Sequence, residues 1–424
     1  MHSSDPGTVH IIGAGLAGLA AAVRLVDSGK AIVVHEAATR PGGRCRSYYD
    51  QATDMVIDNG THLVLSGNRA ALSYARTIGA EAGLDGPDAA EFHFIDMATD
   101  ARWTVQFNDS VFPWWIFDKN RRVPQTRVTD YLSLARLVWP SADRPLAEVM
   151  NCAGPLYERL IAPFFLAALN VAPANGSAKL AGALVRETLA KGGAACRPLM
   201  AREGIGTVFV DPAIAYLRAR GVEIAMQHEL HALRLGKGRI AQLDFGGDDV
   251  VTLGADDTVI LAVPAYAAAN LVPGLQTPSA FHGIMNVHFR ADPPAGFPPM
   301  TGIINGTGEW LFAFPGRVSV TISDAGPMFN MPREALAKKI WGEVAKSMTI
   351  PDVLPPWQIV RERRATFAAT PEENAKRPPA ETQWSNLFLA GDWTATGLPA
   401  TLESAVRSGN RAADLVSECQ RIAA

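Results

Sequence analysis

Val9-His-Ile-Ile-Gly-Ala-Gly-Leu-Ala-Gly18, Ala31-Ile-Val-Val-His-Glu36 and Arg40-Pro-Gly-Gly-Arg44 follow one another within the first 44 residues, and their reading decides the fold. Val9 to Ile12 is a short apolar run that fits a buried parallel strand, and Leu16, Leu19, Ala20, Val23 and Leu25 recur at helical spacing up to Ser28. Between them, Gly13 allows a tight strand-to-helix turn, Gly15 lets the backbone approach a pyrophosphate, and Gly18 lets the helix lie close to the sheet. The residues that open the helix, Leu16, Ala17 and Gly18, present free N–H groups and a positive dipole end to the phosphates. The second strand, Ala31 to His35, delivers Glu36 about 20 residues past the glycines, where a carboxylate accepts both hydroxyls of a ribose. This order reads as a dinucleotide site and leaves NAD and FAD both open. Gly42 and Gly43, followed by Arg44, either form a plain surface turn or bring a planar, permanently charged fork to a phosphate or to the flavin side of a cofactor.

At 424 residues, 48% hydrophobic and 19% charged, the chain suits two large domains with a sizeable core. A formal net charge of −3 without a basic run argues against a nucleic-acid partner. No apolar stretch reaches the ~20 residues of a membrane-spanning helix, and the first strand begins too early to leave room for a signal peptide, so a cytoplasmic protein is expected. Cys45, Cys152, Cys196 and Cys419 form no paired motif. His228 and His231 lie in a segment that reads as a strand, which would turn them to opposite faces. No metal site is expected.

Beyond residue 50 the chain alternates between two characters. Met55 to His62 contains the turn Asp58-Asn-Gly60, followed by a lone histidine at His62. Asn68 to Gly79, Thr129 to Val138 and Pro155 to Asn170 read as helical, and Glu91 to Asn108 as two short strands. Val111-Phe-Pro-Trp-Trp-Ile-Phe117 and Ile161 to Leu169 are almost wholly apolar. Each serves either as core packing or as the wall of an apolar tunnel or a surface that dips into a bilayer. Near residue 200 the first pattern resumes, with a helix at Asp211 to Arg220, a strand at Val222 to Met226, a hairpin of Glu229 to Leu235 and Arg239 to Phe245, and a buried strand at Val259 to Val263. Phe281 to Arg290 and Trp310 to Ile322 then read as strands, with a helix near Pro332 to Lys346. The last piece, Asn386 to Gly409, is a strand ending in Gly391-Asp392, a loop, and a helix opened by Pro399. Asp392 can accept hydrogen bonds from ribityl or phosphate-linked hydroxyls. The free N–H groups around Pro399, Ala400, Thr401 and Leu402 can stabilise negative charge on a reduced flavin.

Taken with Gly13 to Gly18, Glu36 and Pro41-Gly-Gly-Arg44, this ending resembles the FAD-dependent amine oxidase and phytoene desaturase superfamily over essentially the whole chain. Asp58-Asn-Gly with His62, Leu166-Ala-Ala-Leu-Asn170 and Gly391-Asp-Trp-Thr394 with Gly397 to Gly409 resemble its squalene-associated branch, the hydroxysqualene dehydroxylases of hopanoid synthesis. Thr61, where that branch leads us to expect glutamine, and Ala395, where we expect an acid, depart from it. The resemblance implies an α/β fold: a glutathione-reductase-like FAD-binding Rossmann domain of residues 1–70, 200–275 and 375–424, with an inserted α+β substrate domain of 71–199 and 276–374. It implies non-covalent FAD held by the residues above, with Leu230 giving a backbone contact to adenine, and a long apolar isoprenoid substrate, hydroxysqualene. It also places the residues after the Asp58 turn by the catalytic cavity; a lone His there is either a structural residue or, since the leaving hydroxyl needs a proton, the donor His62, with Asp58 orienting the turn, acting as the acid or serving only as a structural turn carboxylate. An insoluble hydrocarbon substrate makes peripheral contact with the inner face of the cell membrane an expectation. The electron donor leaves no mark in the sequence. A carotenoid desaturase or amine oxidase of the same fold, and a prenyl-binding escort without flavin, are the competing classes. The intact phosphate glycines, Glu36 and Asp392 count against the escort.

Overall fold

A computed structural model describes residues 7–138 and 142–423; residues 1–6, 139–141 and 424, which the expected domain segments include, lie outside the described residues. Five parallel strands form one sheet in the order Glu223–Met226, Ala31–Glu36, Thr8–Ile12, Thr258–Leu261, Leu387–Leu389. Strands so distant in sequence assemble because their central residues are apolar and both faces are covered, so Ile11, Val34, Ile260 and Leu387 are fully enclosed. The Leu16–Leu25 helix is buried at every position but Arg24. The Leu402–Ala423 helix crosses it at Gly409, where a Cβ would stand 2.1 Å from the Ala17 carbonyl oxygen. The glycine sets the depth of that crossing and so anchors the last segment of the chain to the first.

A second sheet runs Trp357–Phe367, Phe281–Phe289, Arg317–Ile322, Trp310–Phe314, Met300–Ile304, Glu91–Asp96, Arg102–Gln106. All its pairings are antiparallel except that of Met300–Ile304 with Glu91–Asp96. Alternation sorts its faces. Met285, Val287, Val318 and Val320 pack with Leu336, Ile340 and Val344 of the Arg333–Met348 helix. Phe92, Phe94, Trp310 and Phe312 turn the other way, into the cluster that holds Leu160, Ile161 and Phe165. Asn286 and His288 share that second side, alternating with Met285 and Val287 along their strand.

Two strands of this sheet escaped the sequence reading. Trp357–Phe367 carries Arg361, Glu362, Arg363 and Arg364, which hide its period, and its pairing along Phe281–Phe289 makes it a strand. Met300–Ile304 is short and broken by Gly302, whose missing side chain makes room for the Phe94 ring. Trp310 to Ile322 is a hairpin of Trp310–Phe314 and Arg317–Ile322 rather than one strand. The expected Glu229 to Leu235 strand begins only at Ala232, so Leu230 lies in the preceding connection. That connection is drawn instead to the end of the parallel sheet: Gln227 N–H donates to the Ala38 carbonyl and His228 N–H to that of Glu36.

The same detour overturns the expectation for His228, which lies outside any strand and completes a row of three imidazoles. His10 Nδ1 is 3.1 Å from His35 Nε2, His35 Nδ1 is 2.9 Å from His228 Nδ1, and His228 Nε2 is 2.9 Å from Asp249 Oδ2. With Asp249 accepting from His228 Nε2–H, one neutral tautomer set satisfies every link: His35 donates to His228 and His10 donates to His35. Burial, then the neighbouring His10 and His228, lowers the His35 pKa to about 3; burial also lowers that of His10. Between pH ~6.5 and 3 the unfolded chain therefore binds a proton that folded His35 refuses. This contribution is fully present above pH ~6.5 and is lost as pH falls, at up to about 1.4 kcal/mol per pH unit. Urea midpoints of the holoenzyme at pH 7, 6 and 5 are expected to fall steadily, and less steeply in His35→Gln. Equal slopes in the two proteins would contradict this.

Candidate active site

The two glycine loops dock on each other at the end of the parallel sheet. Gly13 has φ +108° and Gly42 φ +102°, and Gly42 N–H donates to the Ala14 carbonyl at 2.8 Å. A Cβ on Gly18 would lie 2.0 Å from the Gly13 oxygen, so the turn closes only with glycine there. Gly15 is different: its backbone is extended, and a Cβ would meet nothing within 4 Å. The open space it faces adjoins the first N–H groups of the helix, at Leu16, Ala17 and Gly18, which no side chain caps. Gly43 stands against Gly15, its own Cβ position 3.6 Å from the Gly15 Cα. Glu36 is fixed by accepting from Ala14 N–H at 2.7 Å and Ala38 N–H at 2.9 Å. Two hydrogen bonds leave a carboxylate with lone pairs for two hydroxyls. Leu230, with its side chain buried, follows the residues hydrogen-bonded to Glu36 and Ala38. An open cradle beside uncapped N–H groups, with a fixed carboxylate at the next strand end, fits the pyrophosphate and ribose of FAD.

Arg44 and Asp392, read separately from the sequence, form a 2.7 Å ion pair, and Arg44 also donates to the Ala365 carbonyl. Gly391, at φ +145°, opens the Asp392 to Thr396 loop, and its N–H donates to Ser408 Oγ. Pro399 is buried, while Ala400, Thr401 and Leu402 are half-buried at the start of the last helix. The sequence reading missed the residue that shapes this loop. Arg377, 7% exposed, donates to the carbonyls of Asp392 and Thr394 and to Thr396 Oγ1. Burial lowers its pKa to about 10, which leaves it charged at neutral pH. Glu403 was missed as well: it accepts from Ala70 and Ala71 N–H and from Arg407, tying the last helix to the start of the Arg69–Thr77 helix. An arginine and an acid in these contexts carry no local signal; their partners are far away in sequence.

The Asp58 to His62 turn is held from two directions. Asp58 Oδ1 accepts from Ser47 Oγ at 2.6 Å and from Ile205 N–H at 2.8 Å. From the second sheet, His288 Nε2 donates to the Asp58 carbonyl, and Asn286 Oδ1 accepts from Thr61 N–H at 3.1 Å and Thr321 Oγ1 at 2.8 Å. Burial lowers the His288 pKa to about 4, so it remains neutral in this role. Asn286 and His288 also went unread, because a polar residue inside a strand gives no hint of a partner more than 200 positions away. His62 has its pKa lowered, chiefly by burial, with the Asp58 charge opposing. Its Nδ1 and the hydroxyl oxygen of Thr61 are both buried without a protein partner.

The second sheet's inner face grows apolar away from this turn. Phe164 meets Phe92 and Trp310 edge-on at 4.8 and 5.7 Å, and Phe94 stacks on Trp103 at 5.5 Å. The 161–169 segment thus contributes Ile161, Phe165 and Leu169 to the core. The aromatic run behaves differently, because it folds as a single 3-10 turn, Trp114–Phe117. Trp115 is buried edge-on against Phe107 and Tyr131, while Phe112, Trp114 and Phe117 are 52%, 63% and 54% exposed. Among the described residues no helix is long and apolar enough to cross a membrane, and no group of three or more His, Cys, Asp or Glu is placed to hold a metal ion.

Comparison with known proteins follows the same lines. The family of flavin containing amine oxidoreductases matches residues 16–417. Over 409 residues the chain is 59% identical to a hydroxysqualene dehydroxylase of Rhodopseudomonas palustris, covering 96% of this chain and 98% of that one. Over 406 residues it is 43% identical to a hydroxysqualene dehydroxylase of Zymomonas mobilis, with 96% and 98% covered. Among solved structures, cyclohexylamine oxidase from Brevibacterium oxydans matches at a TM-score of 0.70 and 15% identity, covering 98% and 99% of the two chains. A putrescine oxidase variant matches at 0.71 and 17%, covering 97% and 98%. At these identities the solved structures speak for the fold.

Proposed function

The chain belongs to the flavin-containing amine oxidoreductases and, within them, to the hydroxysqualene dehydroxylase family, and from that premise we propose that it reduces hydroxysqualene to squalene with FAD as cofactor. The observation that carries this reading is one face of the second sheet, polar at the Asp58 to His62 turn and packed with aromatic rings beyond it. Such a face suits a long hydrocarbon with a single hydroxyl.

In this reading the parallel sheet, with residues 1–70, 200–275 and 375–424, holds FAD, and the second sheet, with 71–199 and 276–374, holds the substrate. Gly13 to Gly18 cradle the pyrophosphate, Glu36 the ribose and the Leu230 backbone the adenine; Gly42, Gly43, Arg44, Gly391, Asp392 and Pro399 to Leu402 face the flavin half. Reduced FAD supplies the hydride. In the balanced reaction the allylic C–O bond breaks, a C–H bond forms at the same carbon, and the oxygen leaves as water with a proton from the protein. Hydroxide is the conjugate base of water, with a pKa of ~15.7, so its departure needs a donor beside the C–O bond. His62 fills that role, and the aromatic wall keeps water from the allylic cation. Incubating the chemically reduced holoenzyme with hydroxysqualene is expected to give one squalene per FAD; unconverted hydroxysqualene would contradict the reading.

The substrate's insolubility, with the exposed Phe112, Trp114 and Phe117, supports peripheral contact with the inner face of the cell membrane. The three rings touch one another, and Val111 and Leu132 are also exposed. The same stretch exposes Lys119, Arg127 and Arg136 but also Asp109, Asp118 and Asp130, so the rings rather than net charge carry the contact. A few aromatic rings seated at the interface give reversible binding. Phe112→Ser, Trp114→Ser, Phe117→Ser is expected to cut co-sedimentation with phosphatidylglycerol vesicles by roughly tenfold or more. Trp115 is left intact because its ring is core. Wild-type protein remaining in the supernatant would overturn the contact.

A further inference from the structure

Beside His62, the turn offers a second buried polar atom with no partner in the protein, the Thr61 hydroxyl oxygen. Its backbone is not free to drift: Thr61 N–H is bound by Asn286 Oδ1, and that oxygen is fixed in turn by Thr321 Oγ1. Asn286 is itself 1% exposed, and its Nδ2 lies 3.4 Å from where a Cβ on Gly60 would be, so it packs directly under the turn. The second sheet therefore fixes the backbone of Thr61, and with it the position of the neighbouring His62. An alcohol has one O–H to donate and lone pairs to receive a proton. The two orphaned atoms match this pair of needs, and a hydrocarbon without a hydroxyl would satisfy neither.

Resting on the function proposed above, we infer that Thr61 Oγ1 accepts the substrate's O–H hydrogen bond, aiming the oxygen's lone pair at His62, and that Asn286 is the positioning residue that holds Thr61 there. As the C–O bond breaks, that O–H stays on the departing oxygen, His62 adds the second proton, and water leaves still hydrogen-bonded to Thr61. Thr61 thereby distinguishes substrate from product. The bond exists for hydroxysqualene and is lost for squalene.

The test compares the affinities of hydroxysqualene and squalene for the oxidised holoenzyme, read from perturbation of the flavin spectrum, in wild type, Thr61→Val, Thr61→Ser and Asn286→Ala. Thr61→Val keeps the shape and removes the hydroxyl. It is expected to weaken hydroxysqualene by about tenfold, the worth of one buried hydrogen bond, and to leave squalene within about twofold. Thr61→Ser is expected to restore most of the preference, and Asn286→Ala to lose it as Thr61→Val does, with squalene again unchanged. Equal weakening of both ligands in Thr61→Val would mean that Thr61 only shapes the turn, and no weakening of either would mean that it does not touch the alcohol; each overturns the inference. Failure of the functional reading looks different: wild-type reduced enzyme then leaves hydroxysqualene unconverted, whatever the variants do.

Discussion

His62→Ala is expected to retain FAD and to be reduced at the wild-type rate, yet to pass electrons to hydroxysqualene ~10²–10⁴-fold more slowly, the usual worth of a positioned acid. Two observations set this expectation. His62 sits on a turn held by the second sheet on one side and by Ser47 and Ile205 on the other, and its Nδ1 is buried without a partner. Burial holds its pKa below the ordinary 6.5. A histidine whose pKa is lowered is mostly neutral at pH 7, and its imidazolium, when formed, is a stronger acid than usual. The hydride-transfer rate should therefore rise as pH falls from 8 towards the His62 pKa, and this dependence should vanish in His62→Ala. Anaerobic stopped-flow across that range reads both effects. A variant that reoxidises at the wild-type rate would remove His62 from the reaction.

Gly15→Val should give a folded chain with almost no affinity for FAD. The site tolerates a side chain as far as the protein is concerned, since the backbone there is extended and a Cβ meets nothing within 4 Å. On the proposed reading, that space receives the pyrophosphate against the helix N–H groups. Losing two or more charge-assisted hydrogen bonds at ~1.5–3 kcal/mol each predicts a fall in affinity of at least ~10²-fold. Gly18→Ala makes the contrast, because its Cβ would collide with the Gly13 carbonyl and disturb the turn itself. Fluorimetric titration of FAD into the two apoproteins, with thermal melts beside it, distinguishes them. An unchanged Kd in Gly15→Val would mean that the pyrophosphate lies elsewhere.

These two residues mark how far the sequence could be read. The nucleotide half was legible because it depends on backbone: a glycine where a Cβ cannot fit, an acid at a strand end and a helix start uncapped by side chains each need a residue type at a set spacing. Leu230 shows the limit, since the segment thought to be a strand is pulled out of the hairpin by hydrogen bonds to Glu36 and Ala38. The substrate half was harder. Trp114 and Trp115 are neighbours in an apolar run, and only the 3-10 turn decides that one faces outward and the other packs on Tyr131. Arg377, Asn286 and His288 act on loops through contacts that no local period encodes. Asp58 was found as a turn residue, but its partners Ser47 and Ile205 come from either side of the inserted segment.

The most direct test mixes anaerobic, fully reduced wild-type holoenzyme with hydroxysqualene and follows the flavin absorbance while squalene is counted. The oxidised flavin spectrum is expected to return in a single turnover, with one squalene and no oxygen consumed per FAD. Flavin that stays reduced in the presence of saturating hydroxysqualene would contradict the proposed reduction.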